Sequence, residues 1–116
     1  MLTIRKSQNA ALAEAMGRRF ENKVFVHLNK FWPEQCRSQG GVAVRETIRS
    51  GQGRANEYGM KTENDVARYV DLMYSLGHDF DSDPALPWVP EILNDNEISP
   101  TVRMDRLYEE AEKRLV

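Results

Sequence analysis

Apolar residues recur every three or four positions along most of this chain, which is the spacing of amphipathic helices rather than of strands. Thr3 or Ser7 is suited to cap the first helix, and Pro33 ends it, because the residue before a proline is pushed out of helical geometry. We therefore predict a first helix of about 25 residues, or about 37 Å. Its apolar face comprises Leu12, Met16, Phe20, Val24, Leu28 and Phe31.

The next stretch predicts a short helix and then a second long one. Pro33 suits the first turn of a short helix that includes Cys36 and ends before Gly40. The long helix is predicted over residues 42–58, and its Gly51 costs about 1 kcal/mol relative to alanine. Either a neighbour approaches closely at Gly51 and Gly53, or the helix is locally weak. Its apolar side holds Val44, Ile48, Ala55 and Tyr58.

Three more helices are predicted in the second half of the chain. Gly59 supplies a left-handed stop, and Thr62 begins a capping box for a helix that ends at Gly77. A short helix holds Trp88, and Ser99 followed by proline starts the last helix. The apolar faces are Val66, Tyr69, Val70, Met73 and Leu76, then Ile92 and Leu93, then Met104, Leu107, Tyr108, Ala111 and Leu115. The predicted fold is all-α: a single domain over residues 1–116, built as a bundle of four main helices plus short helices.

Charge is sorted along the chain. Residues 1–61 carry eleven Lys and Arg against five Asp and Glu, whereas residues 62–116 carry five against thirteen. The halves are formally +6 and −8, although the whole chain is only −2. Such asymmetry gives a folded protein two faces of opposite electrostatic potential. It therefore says more about the partners that the protein binds than about its fold.

Composition and length narrow the protein class. The 116 residues suit one domain, and the single Cys36 cannot form an internal disulfide, which is typical of a reducing compartment. No apolar stretch comes close to the length of about 20 residues that a membrane-spanning helix needs. The N-terminal residues also lack the apolar region of a signal peptide. We therefore expect a cytoplasmic protein without a membrane partner. The sequence pI near 5.7 argues against nucleic acid as the main partner.

The acidic loop 78–84 is the first candidate site. Asp79, Asp81 and Asp83 alternate like the opening of a calcium-binding loop. However, Pro84 replaces the glycine expected at the sixth position, and Pro90 replaces the bidentate glutamate at the twelfth. Acidic capping and solvated loop residues are the favoured interpretation, and we predict neither a metal nor a cofactor.

Phe80 and Trp88 lie among these acids, and two accounts of them are open. In one, both rings fold back over the bundle and close its end. In the other, one of them stays partly exposed as an aromatic anchor ringed by Asp, which is the usual composition of an interface hot spot.

Arg45 and Arg49, one helical turn apart, form the basic candidate surface. They can meet an acidic protein or a phosphate, or they can pair within the fold with the acidic C-terminal residues. The segment lacks a glycine-rich phosphate loop and interleaved aromatic residues. His27, His78 and Cys36 come from different elements and lack the pattern of a thiol nucleophile or a zinc site. No catalytic residue is predicted.

Several segments together resemble small helical bacterial proteins encoded beside type VI secretion spike-tip and adaptor-chaperone genes. They are MLTIR (1–5), WPEQC (32–36), YGMKTENDV (58–66), RYVDLM (68–73), GHDFDSDP (77–84), LPW (86–88) and MDRLY (104–108). The resemblance implies a helper that binds an adaptor, effector or tip protein before secretion, and it brings no catalytic residue.

The leading hypothesis is a non-enzymatic adaptor or co-chaperone for a type VI secretion effector, and self-association is possible. Its partner surface is expected at Asp79, Phe80, Asp81, Asp83, Trp88, Arg45 and Arg49. One rival is an immunity protein that blocks a toxin's active site with the acidic loop. A second rival, less favoured, is a small metal-dependent enzyme.

Overall fold

The regular secondary structure of the described residues is all helical. A computed structural model describes the backbone of residues 2–115 and the side chains of residues 17–114, and this part contains no strand. The all-α class is therefore confirmed. The helices are α1 (Leu2–Phe31), α2 (Pro33–Gln39), α3 (Gly41–Glu57), α4 (Glu63–Leu76), α5 (Trp88–Leu93) and α6 (Pro100–Leu115).

The chain divides into two compact units, the N-terminal unit (residues 1–48) and the C-terminal unit (residues 49–116). The boundary falls within α3. The prediction of a single domain stays a prediction. Within residues 2–115 no helix is both long enough and apolar enough to cross a bilayer.

In the N-terminal unit, α1 is longer than predicted. It begins at Leu2, so Thr3 and Ser7 lie inside the helix and the prediction that one of them caps it is wrong. Phe20, Val24 and Leu28 are buried as expected. The last residue of the predicted stripe, Phe31, is 59% exposed, because α1 ends there. Leu12 and Met16 lie outside the residues whose side chains are described.

Single residues join the first three helices. Pro33 occupies the first turn of α2, which confirms the predicted short helix after the proline stop. Gly40 has a φ of 88°, a conformation that favours glycine, and its amide donates to the carbonyl of Cys36 at 2.9 Å. With Gly40 as the only connecting residue, α3 starts at Gly41. The Gln39 side chain at the end of α2 donates to the Thr47 hydroxyl of α3 at 2.9 Å.

In the C-terminal unit, Gly51 marks a close helix contact. A Cβ at this position would lie 2.7 Å from the Sδ of Met73 and 2.9 Å from a methyl carbon of Val70. Of the two alternatives, the close neighbour is therefore confirmed for Gly51. It does not apply to Gly53, where a Cβ would meet nothing within 4 Å.

The predicted helix boundaries of this unit are confirmed by their capping contacts. Gly59 has a φ of 91°, and Met60 beside it is fully buried. The Thr62 hydroxyl accepts from the Asp65 amide at 3.2 Å at the start of α4. Ser99 does the same for the Val102 amide at 3.2 Å at the start of α6.

The core of the C-terminal unit forms where α4 and α5 pack against α6. Buried polar groups cross this core. The buried guanidinium of Arg103 donates to the carbonyl of Tyr58 at 2.8 Å and to that of Leu93 at 2.7 Å. The apolar residues of the core are Met60, Val66, Tyr69, Val70, Leu72, Met73, Phe80, Val89, Leu93, Met104, Leu107 and Ala111.

Candidate functional site

The acidic loop is fastened to the C-terminal unit by the side chain of Phe80. This ring is completely buried, and its centroid lies 4.9 Å from that of Tyr69 on α4. The account in which Phe80 folds back over the helices is therefore confirmed. The alternative of an exposed Phe80 anchor is wrong, because burying this ring against Tyr69 removes it from contact with any partner.

Arg54 on α3 fixes the backbone and the carboxylates of the same loop. Its guanidinium donates to the His78 carbonyl. It also donates to the Asp79 carboxylate at 2.5 Å and lies 3.8 Å from the Asp81 carboxylate. The hydrogen bond to Asp79 raises the pKa of Arg54 further above its usual range. The carboxylates thus face an internal cation, although the Asp79 side chain stays 77% exposed.

Asp81 links the loop to two tyrosines. The Tyr58 hydroxyl donates to the Asp81 carboxylate at 2.9 Å. Burial, followed by this hydrogen bond, raises the pKa of Tyr58 to about 12. Burial and the nearby negative charge also raise the pKa of Tyr69, whose buried hydroxyl has no hydrogen-bond partner of good geometry among the described residues. Asp81 thus joins the loop to Tyr58 by a hydrogen bond and adds to burial in raising the pKa of both phenols.

The alternating aspartates do not converge as a cation site. Asp79 and Asp81 meet Arg54, whereas Asp83 accepts from the Ala85 amide at 2.9 Å as a turn cap. Among the described residues no group of three or more His, Cys, Asp or Glu side chains is arranged to hold a metal ion. The capping interpretation of Asp83 is confirmed, and the loop oxygens serve the fold.

Trp88 lies at a groove between α5 and α6. Its side chain is only 8% exposed, so it belongs largely to the core and is not the free aromatic anchor of the second account. The Trp88 side chain nevertheless lines part of a cavity of about 400 Å³. The cavity is lined by Trp88, Glu91 and Ile92 from α5 and by Arg106, Glu109, Glu110 and Arg114 from α6. We call it the α5–α6 groove.

Charged side chains of both signs surround this groove. The Arg114 guanidinium lies 5.1 Å from the centroid of the Trp88 ring, within the range of a cation–π contact. Glu110 pairs with Arg114 at 3.4 Å and with Lys113 at 3.5 Å. An apolar floor with a polar rim is the usual anatomy of a protein-binding surface.

The two candidate arginines belong to different units. Arg45 of the N-terminal unit pairs with Glu21 on α1 at 2.7 Å and also donates to the Asn22 side chain at 2.9 Å. Its guanidinium stacks 4.3 Å from the centroid of the Phe25 ring. Internal pairing is therefore confirmed for Arg45, with Glu21 as partner rather than the expected C-terminal acids. Arg49 is an exposed residue of α3 in the C-terminal unit.

The N-terminal unit has its own cavity, of about 450 Å³, beside Phe25, Asn29 and Cys36. Burial raises the pKa of the Cys36 thiol, which disfavours the thiolate needed for nucleophilic chemistry. The imidazole of His27 lies against the Phe31 ring, with centroids 4.7 Å apart. Cys36 is therefore a buried thiol, and His27 packs against a neighbouring aromatic ring.

Sequence reasoning missed the importance of Arg54 and Arg103. Arg54 is one of eleven basic residues in the first 61 positions and carries no distinguishing pattern, and Arg103 interrupts no apolar pattern. A usable signal for Arg103 is its position one residue before Met104, on the edge of the apolar stripe of α6.

Comparisons of this chain with protein-family models, with curated protein sequences and with solved structures each find no match.

Proposed function

We propose that this protein is a cytoplasmic, non-enzymatic accessory protein of bacterial type VI secretion, an adaptor or co-chaperone that helps to load an effector. It would act as one domain, a bundle of four main helices plus short ones, through a binding surface. The proposed partner is an adaptor chaperone, an effector or a spike-tip protein, and neither nucleic acid nor a membrane. The segments that resemble proteins encoded beside such genes supply the secretion context.

The observation that carries the binding role is the α5–α6 groove. It combines the mostly buried Trp88, the half-buried Ile92 and exposed charges such as Glu91 and Arg106. Aromatic floors with charged rims recur where proteins bind one another, because the floor supplies the affinity while the rim sets orientation and specificity. The groove therefore replaces Phe80 as the proposed docking site.

The groove also indicates what kind of segment it would accept. A cavity of about 400 Å³ accommodates one or two apolar side chains rather than a whole domain. We propose that the partner contributes an amphipathic helix, whose apolar side chains contact Trp88 and Ile92 while its polar side chains meet the rim.

Copurification from a host that expresses the neighbouring genes tests this proposal. Ile92→Glu places a charge in the groove and should lower the recovered partner by about tenfold or more. Ile98→Glu is the matched control, since Ile98 is equally half-buried but does not line the groove. Trp88→Ala is less useful, because this side chain is mostly core and its loss would destabilise the fold.

Equal recovery with both isoleucine variants, at wild-type helical circular dichroism, would overturn the groove as the docking site. If the captured partner is a toxin and the wild-type protein abolishes its activity, the immunity alternative would replace the adaptor. The exposure of Asp79 favours that rival, and Asp79→Lys would then relieve the inhibition. A stable complex that leaves toxin activity intact would support the adaptor.

A further inference from the structure

The outer face of α1 carries an exposed basic stripe. Arg19, Lys23, Val26 and Lys30 follow one another at intervals of four, three and four residues, so they lie along one side of the helix. All four are exposed, and the Val26 side chain is 66% exposed. This side is opposite to the buried face of the same helix, which contains Val24 and Leu28. We call it the α1 stripe.

The outer face of α6 carries an acidic stripe of the same construction. Val102, Asp105, Glu109 and Glu112 follow at intervals of three, four and three residues. All four are exposed, and Val102 is 40% exposed. The four residues of each stripe thus combine one exposed valine with charges of a single sign, and on α6 the exposed bases Arg106 and Lys113 flank the acids. We call this one the α6 stripe.

The two stripes match in register when the helices run antiparallel. Lys23 and Arg19 lie three and seven residues before Val26. Asp105 and Glu109 lie three and seven residues after Val102. At a rise of 1.5 Å per residue these offsets are about 4.5 Å and about 10.5 Å on both helices. With the valines opposed, Lys23 faces Asp105 and Arg19 faces Glu109.

We propose that the α1 stripe of one copy of this protein binds the α6 stripe of a second copy in this antiparallel register. The sequence charge of the two units favours such an association. The N-terminal unit holds eight Lys and Arg against four Asp and Glu, whereas the C-terminal unit holds eight against fourteen. Units of +4 and −6 attract each other between copies and orient the encounter.

The ion pairs already present in the chain are compatible with this contact. Asp105 accepts from Arg68 at 2.5 Å, yet its side chain remains 54% exposed. A carboxylate has acceptor sites for more than one cation, so Lys23 of the second copy would extend this pair into a network. A polyanion such as nucleic acid would use the α1 bases, but it would explain neither the exposed Val26 nor the matching acidic stripe.

Sedimentation of the purified protein over about 10 µM to about 1 mM, at low and at high salt, tests the association. We expect a concentration-dependent increase in mass, and a dissociation constant that rises at least about fivefold in high salt, since the contact is largely electrostatic. A chain that stays monomeric over this range, or an association insensitive to salt, would overturn the proposal.

Charge reversal identifies the helices. Arg19→Glu alone and Glu109→Arg alone should each raise the dissociation constant by roughly fivefold. Mixing the two variants should restore association, because each mixed contact then joins opposite charges at this position. Arg18→Glu is the matched control: Arg18 is exposed on α1 but lies outside the α1 stripe, so its reversal should change the dissociation constant much less.

Loss of association in the Arg18 control equal to that of Arg19→Glu, or no recovery in the mixture, would overturn this register. Glu109 also lines the α5–α6 groove, but the experiment contains no secretion partner, so a failure of self-association leaves the groove proposal untouched.

Discussion

The two units solve the problem of joining helices in different ways. In the N-terminal unit, single residues, Trp32 and Gly40, connect the helices, whereas the C-terminal connections span residues 58–62, 77–87 and 94–99. Backbone amides cap helix ends in both units, as when the Gly40 amide donates to the Cys36 carbonyl and the Gly77 amide to the Met73 carbonyl. The longer connections contain further carbonyls that need other donors. Arginine side chains supply them in the C-terminal unit.

The surfaces of the units differ as well. Three large apolar side chains of the N-terminal unit are well exposed, Val26, Phe31 and Val42, against Val102 among the described residues of the C-terminal unit. Both units bury polar side chains, Glu21 and Thr47 in the first and Arg103 and Asp65 in the second. The difference is that Arg103 donates to carbonyls at the ends of connecting segments, whereas Glu21 and Thr47 bond side chains or their own helix. Four measurements test or refine this view.

The largest effect is expected at Arg103. Arg103→Met leaves the carbonyls of Tyr58 and Leu93 without their buried donor, and we expect the free energy of unfolding to fall by about 3 kcal/mol. Denaturant unfolding measures it. Arg106→Met, on the exposed side of the same helix, should change stability by less than about 0.5 kcal/mol. Similar losses in both variants would contradict the role of the buried arginine.

The paired glycines of α3 provide a test with opposite signs. Gly51→Ala forces a methyl group against Met73 and Val70, and overpacking should outweigh the helix propensity gained, for a net loss of about 1 kcal/mol. Gly53→Ala meets open space and should gain up to about 1 kcal/mol. Thermal unfolding of the two variants measures the difference. If both substitutions stabilise the protein, the close contact at Gly51 is wrong.

The link between Tyr58 and Asp81 should appear in the alkaline pH dependence of stability. Folding raises the pKa of Tyr58 from 10.0 to about 12, so the folded state holds this proton more tightly than the unfolded state. The contribution is fully present below pH 10 and is lost as the pH rises toward 12. Tyr58→Phe should flatten part of this decline and cost about 1 kcal/mol at neutral pH, through loss of the hydrogen bond. An unchanged alkaline profile in unfolding experiments would argue against the link.

The smallest effect is expected in the N-terminal unit. Arg45 is partly exposed in its pair with Glu21, so Arg45→Ala should lower the free energy of unfolding by no more than about 1 kcal/mol. Chemical unfolding in low and high salt measures it, and salt should reduce the difference between variant and wild type. A loss as large as that of Arg103→Met would remove the contrast between the units.

Much of the fold was accessible from spacing and capping signals. The turn at Gly59, the cap at Thr62 and the start of the last helix at Ser99 depend on local chemistry, and each was predicted at the right residue. The start of α1 was not, because Thr3 and Ser7 favour a cap without requiring one. The candidate site was less predictable. Whether Phe80 is an anchor or a core residue depends on Tyr69, which lies in another helix.

The helical class, most helix ends and the unequal charge of the two halves follow from neighbouring residues and from composition, so the sequence was sufficient for them. Packing between helices was needed to show that Arg54 holds the acidic loop, that Arg103 is buried, and that Trp88 lines a groove. These contacts join residues that are far apart along the chain. A partner 25 residues away, such as Asp79 for Arg54, is chosen by how the helices pack and leaves no periodic trace in the sequence.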